Sequence, residues 1–110
     1  MDKPKERILL VENDPELSDL ISRQTIKPLG YQVAVVGTAA TAIQEAVNYA
    51  PDVILADLNL SGLSGKDLLV ALNAQGLDIP VIVIAPKGME SDVIQAFRLG
   101  ARDYLVKPYE

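Results

Sequence analysis

Five short apolar runs punctuate the chain, and between them apolar positions recur at helical spacing. The first run covers residues 7–12, with Ile8, Leu9, Leu10 and Val11 in unbroken succession; the others cover residues 31–36, 52–56, 80–84 and 103–106. Runs that are continuous rather than alternating are expected of strands covered on both faces, as in a parallel sheet. After the first run, Asp14-Pro15-Glu16 supplies an N-cap carboxylate, a proline at the first helical position and an acid in the first turn. Leu17, Leu20, Ile21 and Thr25 mark the expected inner face of that helix, which Pro28 and Gly30 stop. The second helix has the clearest period, with Ala39, Ala42, Ile43, Ala46, Val47 and Ala50 on one stripe, and Pro51 ends it. Residues 58–65 read as a turn-rich loop in which Gly62 and Gly65 supply turn geometry. Ser64 with Asp67 resembles a capping box for a third helix that buries Leu68, Leu69 and Leu72. A fourth helix, capped near Ser91, should turn Val93, Ala96 and Phe97 inward before Gly100.

Strands alternating with helices predict an α/β fold. Right-handed crossovers place three of the helices on one face and leave the first alone on the other. A fifth helix is expected there, and none follows the last run. The bare face is therefore expected to be covered by a segment beyond this chain or by a partner chain. Residues 1–6 read as a disordered lead, and residues 7–110 as one domain.

Composition narrows the chemistry. The 110 residues carry a net charge of -5 and are 49% hydrophobic, an ordinary globular balance without a basic surface for nucleic acid. Cysteine and histidine are both absent, which excludes disulfides, zinc sites, thiol nucleophiles and an imidazole base. Any metal must be a hard cation bound through oxygen. No run is long enough for a membrane span or a signal peptide, so the cytoplasm is the default location.

The ends of the apolar runs collect the reactive side chains. If the strands are parallel, Glu12-Asn13-Asp14, Asp57, Ala85-Pro86 and Lys107-Pro108 meet on one rim of the sheet. Three segments in order, from Ile8 to Glu16, from Pro51 to Leu58 and from Gly100 to Pro108, resemble the receiver domain of two-component response regulators. The resemblance implies a flavodoxin-like, doubly wound five-stranded sheet of order 2-1-3-4-5 with the site at its carboxyl edge. It further implies that Asp57 accepts a phosphoryl group from a sensor histidine kinase or a phosphotransfer protein in a phosphorelay. Magnesium would be held by Asp57, Asn13, the backbone carbonyl of Asn59 and, through water, Glu12. Lys107 would pair with Asp57 and then with a phosphoryl oxygen, a cis bond before Pro108 would present its amine, and Tyr104 would be the switch aromatic. Such a domain is a signalling phosphoacceptor rather than an enzyme, with at most self-catalysed transfer and hydrolysis. Helix four with strand five, or the uncovered face, would serve a homodimer.

Blander readings stand beside these. Asp14 before Pro15 fits a cap better than a ligand, and Lys107 can be read as an exposed lysine near a strand end. The chain also departs from the family pattern. Asn13 stands where an acid is usual, so magnesium should bind weakly. Ala85 replaces a Thr or Ser whose hydroxyl bonds the phosphoryl oxygen and couples to the aromatic switch. Pro86 has no N–H to offer the same oxygens. Two expectations follow: a slow phosphoacceptor with Tyr104 uncoupled, or a degenerate receiver acting as a phosphorylation-independent interaction module. Flavin binding on the same architecture is disfavoured, because the acidic loop after the first run would repel a phosphate.

Overall fold

In the computed structural model, which describes residues 6–59 and 65–107, the five apolar runs form one parallel sheet. Its strands are β1 (Arg7–Val11), β2 (Gln32–Val36), β3 (Val53–Asp57), β4 (Val81–Ala85) and β5 (Asp103–Val106), in the order β2-β1-β3-β4-β5. At the carboxyl edge Val11 lies opposite both Val36 and Ala56, Asp57 opposite Ile84, and Ala85 opposite Val106. The main helices are α1 (Pro15–Ile21), α2 (Ala39–Asn48), α3 (Gly65–Ala74) and α4 (Glu90–Arg98).

Alternation along the strands divides the molecule into two unequal cores. One face turns Leu9, Val11, Ile54, Ala56 and Val83 toward α2, α3 and α4, where Ala39, Ala42 and Ala46 let α2 sit close to the sheet. The other face carries Leu55, Ile84 and Leu105, and a cavity of about 440 Å³ separates them from the helix that follows β1. Leu105 and Val106 remain about half exposed. This is the thinly covered face that the crossover rule anticipates.

Three details differ from the sequence pattern. The helix after β1 is regular only to Ile21; Ser22–Ile26 is a π-helical turn and Lys27–Leu29 a 3-10 turn. Ser18, Ser22 and Ile26 are buried, while Leu20, Ile21 and Thr25 face the sheet across the open cavity. The buried Ser18 hydroxyl is satisfied by donating to the Pro15 carbonyl at 3.1 Å. In α2 the stripe ends early: Val47 is exposed and Ala50 lies beyond the helix with φ 52°. In α4, Ser91 lies inside the helix rather than capping it, and Phe97 is turned outward, edge-on to Tyr104 at 6.0 Å. The expected Ser64 cap lies outside the described residues.

Ala50 holds a left-handed backbone that costs an L-residue roughly 1–2 kcal/mol, which glycine avoids at some entropic cost. Ala50→Gly is expected to raise stability by up to about 1 kcal/mol, read as a higher urea midpoint with an unchanged slope.

Candidate functional site

Three strand ends build the site because the sheet ladder continues one residue past each of them. The Glu12 N–H donates to the Val36 carbonyl, the Leu58 N–H to the Ile84 carbonyl and the Lys107 N–H to the Ala85 carbonyl, all at 2.9 Å. These bonds fix the backbones that bear Glu12, Asp57 and Lys107 at one rim. Asp57 is completely buried, and such a carboxylate must be paired to remain charged. Its Oδ2 faces the Lys107 ammonium at 2.7 Å, and its Oδ1 accepts the Asn59 N–H at 2.9 Å. Lys107 leaves β5 and reaches β3 across the end of β4, a span of about two strand spacings of roughly 4.8 Å each. The small, buried Ala85 lies on that intervening strand.

The acidic segment after β1 divides its work. The Asp14 side chain caps α1, accepting from the Glu16 and Leu17 amides at 3.0 and 3.4 Å, while its own N–H donates to Glu12 Oε2 at 3.1 Å. Glu12 is buried, and its second oxygen, Oε1, accepts no hydrogen bond among the described residues. Burial first, then hydrogen bonding and repulsion from Asp57, push the Glu12 carboxyl up to about 7 against the opposing pull of the Asp14 amide and Lys107. Lys107 is shifted upward too: burial opposes its charge, but Asp57, with Glu12 and Asp14 behind it, outweighs that loss.

Gly65 plays a larger part than the turn residue its sequence context suggests. It is the first residue of α3, its N–H donates to the Leu58 carbonyl at 3.1 Å, and a Cβ there would lie 2.8 Å from both the Asp57 carbonyl oxygen and Leu58 Cα. Only glycine lets α3 seat this closely against the backbone that carries Asp57. The available signal was a glycine opening a helix directly after the loop behind the aspartate.

The remaining predicted residues are placed as follows. Asn13 is exposed beside Glu12, and Asn59 follows Asp57 in the loop after β3. Ala85 and Pro86 border a mostly apolar cavity of about 290 Å³ between α4 and β5, and Tyr104 lies along its outer wall against Phe97. Gly62 and Pro108, with the peptide bond expected to be cis, fall outside the described residues.

The donor set fits a hard cation. Glu12 Oε1 is a buried oxygen without a donor, and the neighbouring Asp57 carboxylate adds negative charge, the chemistry that magnesium ligation uses. Among the described residues no group of three or more acidic side chains is placed to hold a metal ion.

A family model for the response regulator receiver domain matches residues 8–110. The chain is 32% identical over its full length to the DNA-binding response regulator MtrA of Mycolicibacterium smegmatis, covering 47% of that protein. It is 36% identical over 101 residues, 92% of the chain, to the regulatory protein LuxO of Vibrio vulnificus, covering 22% of it. The chain thus spans less than half the length of these curated relatives. Among solved structures, the receiver domain of the sensor histidine kinase PA1611 from Pseudomonas aeruginosa, described with a magnesium ion coordinated in its active site cleft, superposes with a TM-score of 0.84 at 29% identity. That match covers 97% of this chain and 88% of the other. The BeF3-activated receiver domain of RstA from Klebsiella pneumoniae gives 0.86 at 27% identity, covering 96% and 88%.

The raised Glu12 has a consequence for stability. Between about 4.5 and about 7 the folded protein holds a proton that the unfolded chain has released, so this group's contribution is lost as pH rises through that window. Without metal, the wild-type unfolding free energy should fall relative to that of Glu12→Gln from pH 4.5 to 7 and run parallel to it above that range, as read from urea denaturation at each pH.

Proposed function

Because the chain belongs to the response regulator receiver domain family, we propose that Asp57 accepts a phosphoryl group from the phosphohistidine of a sensor histidine kinase or phosphotransfer protein. The observation that carries this reading is the fully buried carboxylate held 2.7 Å from Lys107 beside a second acid with an unsatisfied oxygen. A carboxylate oxygen of Asp57 attacks phosphorus as the P–N bond breaks; the electron pair leaves with the imidazole nitrogen, and an acyl phosphate results. Asp57 has no exposed area at rest, so attack requires a neighbouring group to withdraw. Lys107 is suited to this, because its ammonium can exchange one Asp57 oxygen for a phosphoryl oxygen while keeping a charged partner.

Glu12, Asn13, the Asp57 side chain and the Asn59 carbonyl would hold magnesium. When bound, the metal gathers the negative charge spread over the transferring phosphoryl oxygens. Asn13 supplies a neutral amide where an acid would add a charge, so binding is weak. Ala85 and Pro86 remove two hydrogen-bond donors, each worth about 1.5–3 kcal/mol to a charged acceptor. The reaction is slow, and Tyr104 takes no hydrogen bond from position 85. Direct nucleic-acid contact is no part of the proposal, given the net charge of -5. A second copy of the chain is the other partner proposed, through α4 with β5 or the open sheet face.

The same two losses favour a second reading, a receiver that retains the fold and works as a phosphorylation-independent interaction module. Intact mass after incubation with acetyl phosphate or phosphoramidate and magnesium separates the two. The first reading predicts a single phosphoryl adduct on the wild type and none on Asp57→Asn; no adduct under any condition leaves the second. Ala85→Thr should speed adduct formation by up to about a hundredfold, the usual scale for one preorganised donor.

A further inference from the structure

At the end of α4 nearest the site, Glu90 Oε2 accepts the Gly88 N–H at 3.2 Å, while the cap position itself lacks a side-chain bond. Met89 occupies the N-cap position without a side-chain cap bond, Gly88 before it has φ 100°, and the Met89 N–H reaches the Pro86 carbonyl only at 3.4 Å. Lys66 of α3 adds a tie from outside the helix. Its ammonium lies 2.8 Å from Asp92 Oδ1 and 2.8 Å from Gln95 Oε1. Asp92 and Gln95 are three residues apart and so share one face of α4. A cation in the first turn of α3 is disfavoured by that helix's dipole, so its placement makes sense through the contact with α4 rather than through α3 itself. The far ends of the two helices carry a separate tie, in which Asn73 Nδ2 donates to the Leu99 carbonyl at 2.9 Å.

Lys66 also adjoins the acceptor. It follows Gly65, whose N–H binds the Leu58 carbonyl and whose Cα packs against the Asp57 and Leu58 backbone without room for a side chain. A displacement of the Asp57–Leu58 backbone therefore meets α3 at Gly65, and the next side chain is the one that holds α4. We propose that Lys66 is a positioning residue that conveys phosphoryl occupancy of Asp57 to the N-terminal half of α4 through the Asp92–Lys66–Gln95 clasp, independently of the side chain at position 85. This rests on the phosphoacceptor reading above.

Hydrogen exchange by mass spectrometry on the 110-residue chain tests it, with amides of residues 90–98 followed with and without acetyl phosphate and magnesium. The adduct is quantified by intact mass on the same samples. In the unphosphorylated chain, Lys66→Met keeps the alkyl stem but no donors and should speed exchange in the first turns of α4 by about 1.5- to fivefold, the scale of a partly exposed ion pair. On phosphorylation the wild type and Asn73→Ala should both change α4 exchange. Lys66→Met should form the adduct yet leave α4 unchanged, and Lys66→Arg should restore the response. An α4 response in Lys66→Met equal to that of the wild type at equal adduct overturns the clasp while sparing the phosphoacceptor reading. Absence of adduct on the wild type overturns both, and the intact mass tells the two failures apart.

Discussion

The ion pair between Asp57 and Lys107 is the constraint around which the carboxyl rim is arranged. A carboxylate with no exposed area loses its hydration entirely, and only a close cation with further hydrogen bonds repays that loss. The cation comes from β5, two strands away, so the chain must close the sheet before the acid at the end of β3 can be buried charged. The Asn59 amide satisfies the other oxygen, and Gly65 allows α3 to approach from behind. Breaking such a pair by removing one partner typically costs about 3–5 kcal/mol, a large part of a small domain's stability.

Charge balance around this pair clarifies the role of Glu12. Burial first, then hydrogen bonding and repulsion from Asp57, push the carboxyl of Glu12 up to about 7 even with Lys107 close by. At rest the pocket is close to neutral below that pH. A divalent cation would meet one ready carboxylate and one that gives up its proton on binding, which ties metal affinity to pH.

Much of this was legible in the sequence because it rests on strong local signals. Unbroken branched runs, the Asp14-Pro15 start and the alanine stripe of α2 led to the observed strands and helices, while the sheet order and the pairing of Asp57 with Lys107 came from the family resemblance of three segments. Features that depend on long-range packing were not legible. The π-helical turn at Ser22–Ile26 is one of them, because helical periodicity assumes 3.6 residues per turn throughout. Phe97 is left partly exposed beside the cavity between α4 and β5, edge-on to Tyr104. Gly65 reads as one more loop glycine until its distance to the Asp57 carbonyl is known. The Lys66 clasp joins residues 26 and 29 positions apart, beyond the reach of any local pattern.

The proposed phosphoryl transfer requires Asp57 itself to be the acceptor. Borohydride reduces an acyl phosphate to the corresponding alcohol, so treating the phosphorylated chain and sequencing its peptides by tandem mass spectrometry reads the acceptor directly. Transfer to Asp57 predicts homoserine at position 57 and at no other aspartate. An unreduced Asp57 in a chain that carries the phosphoryl group, or reduction at Glu12 or Asp14 instead, would contradict it.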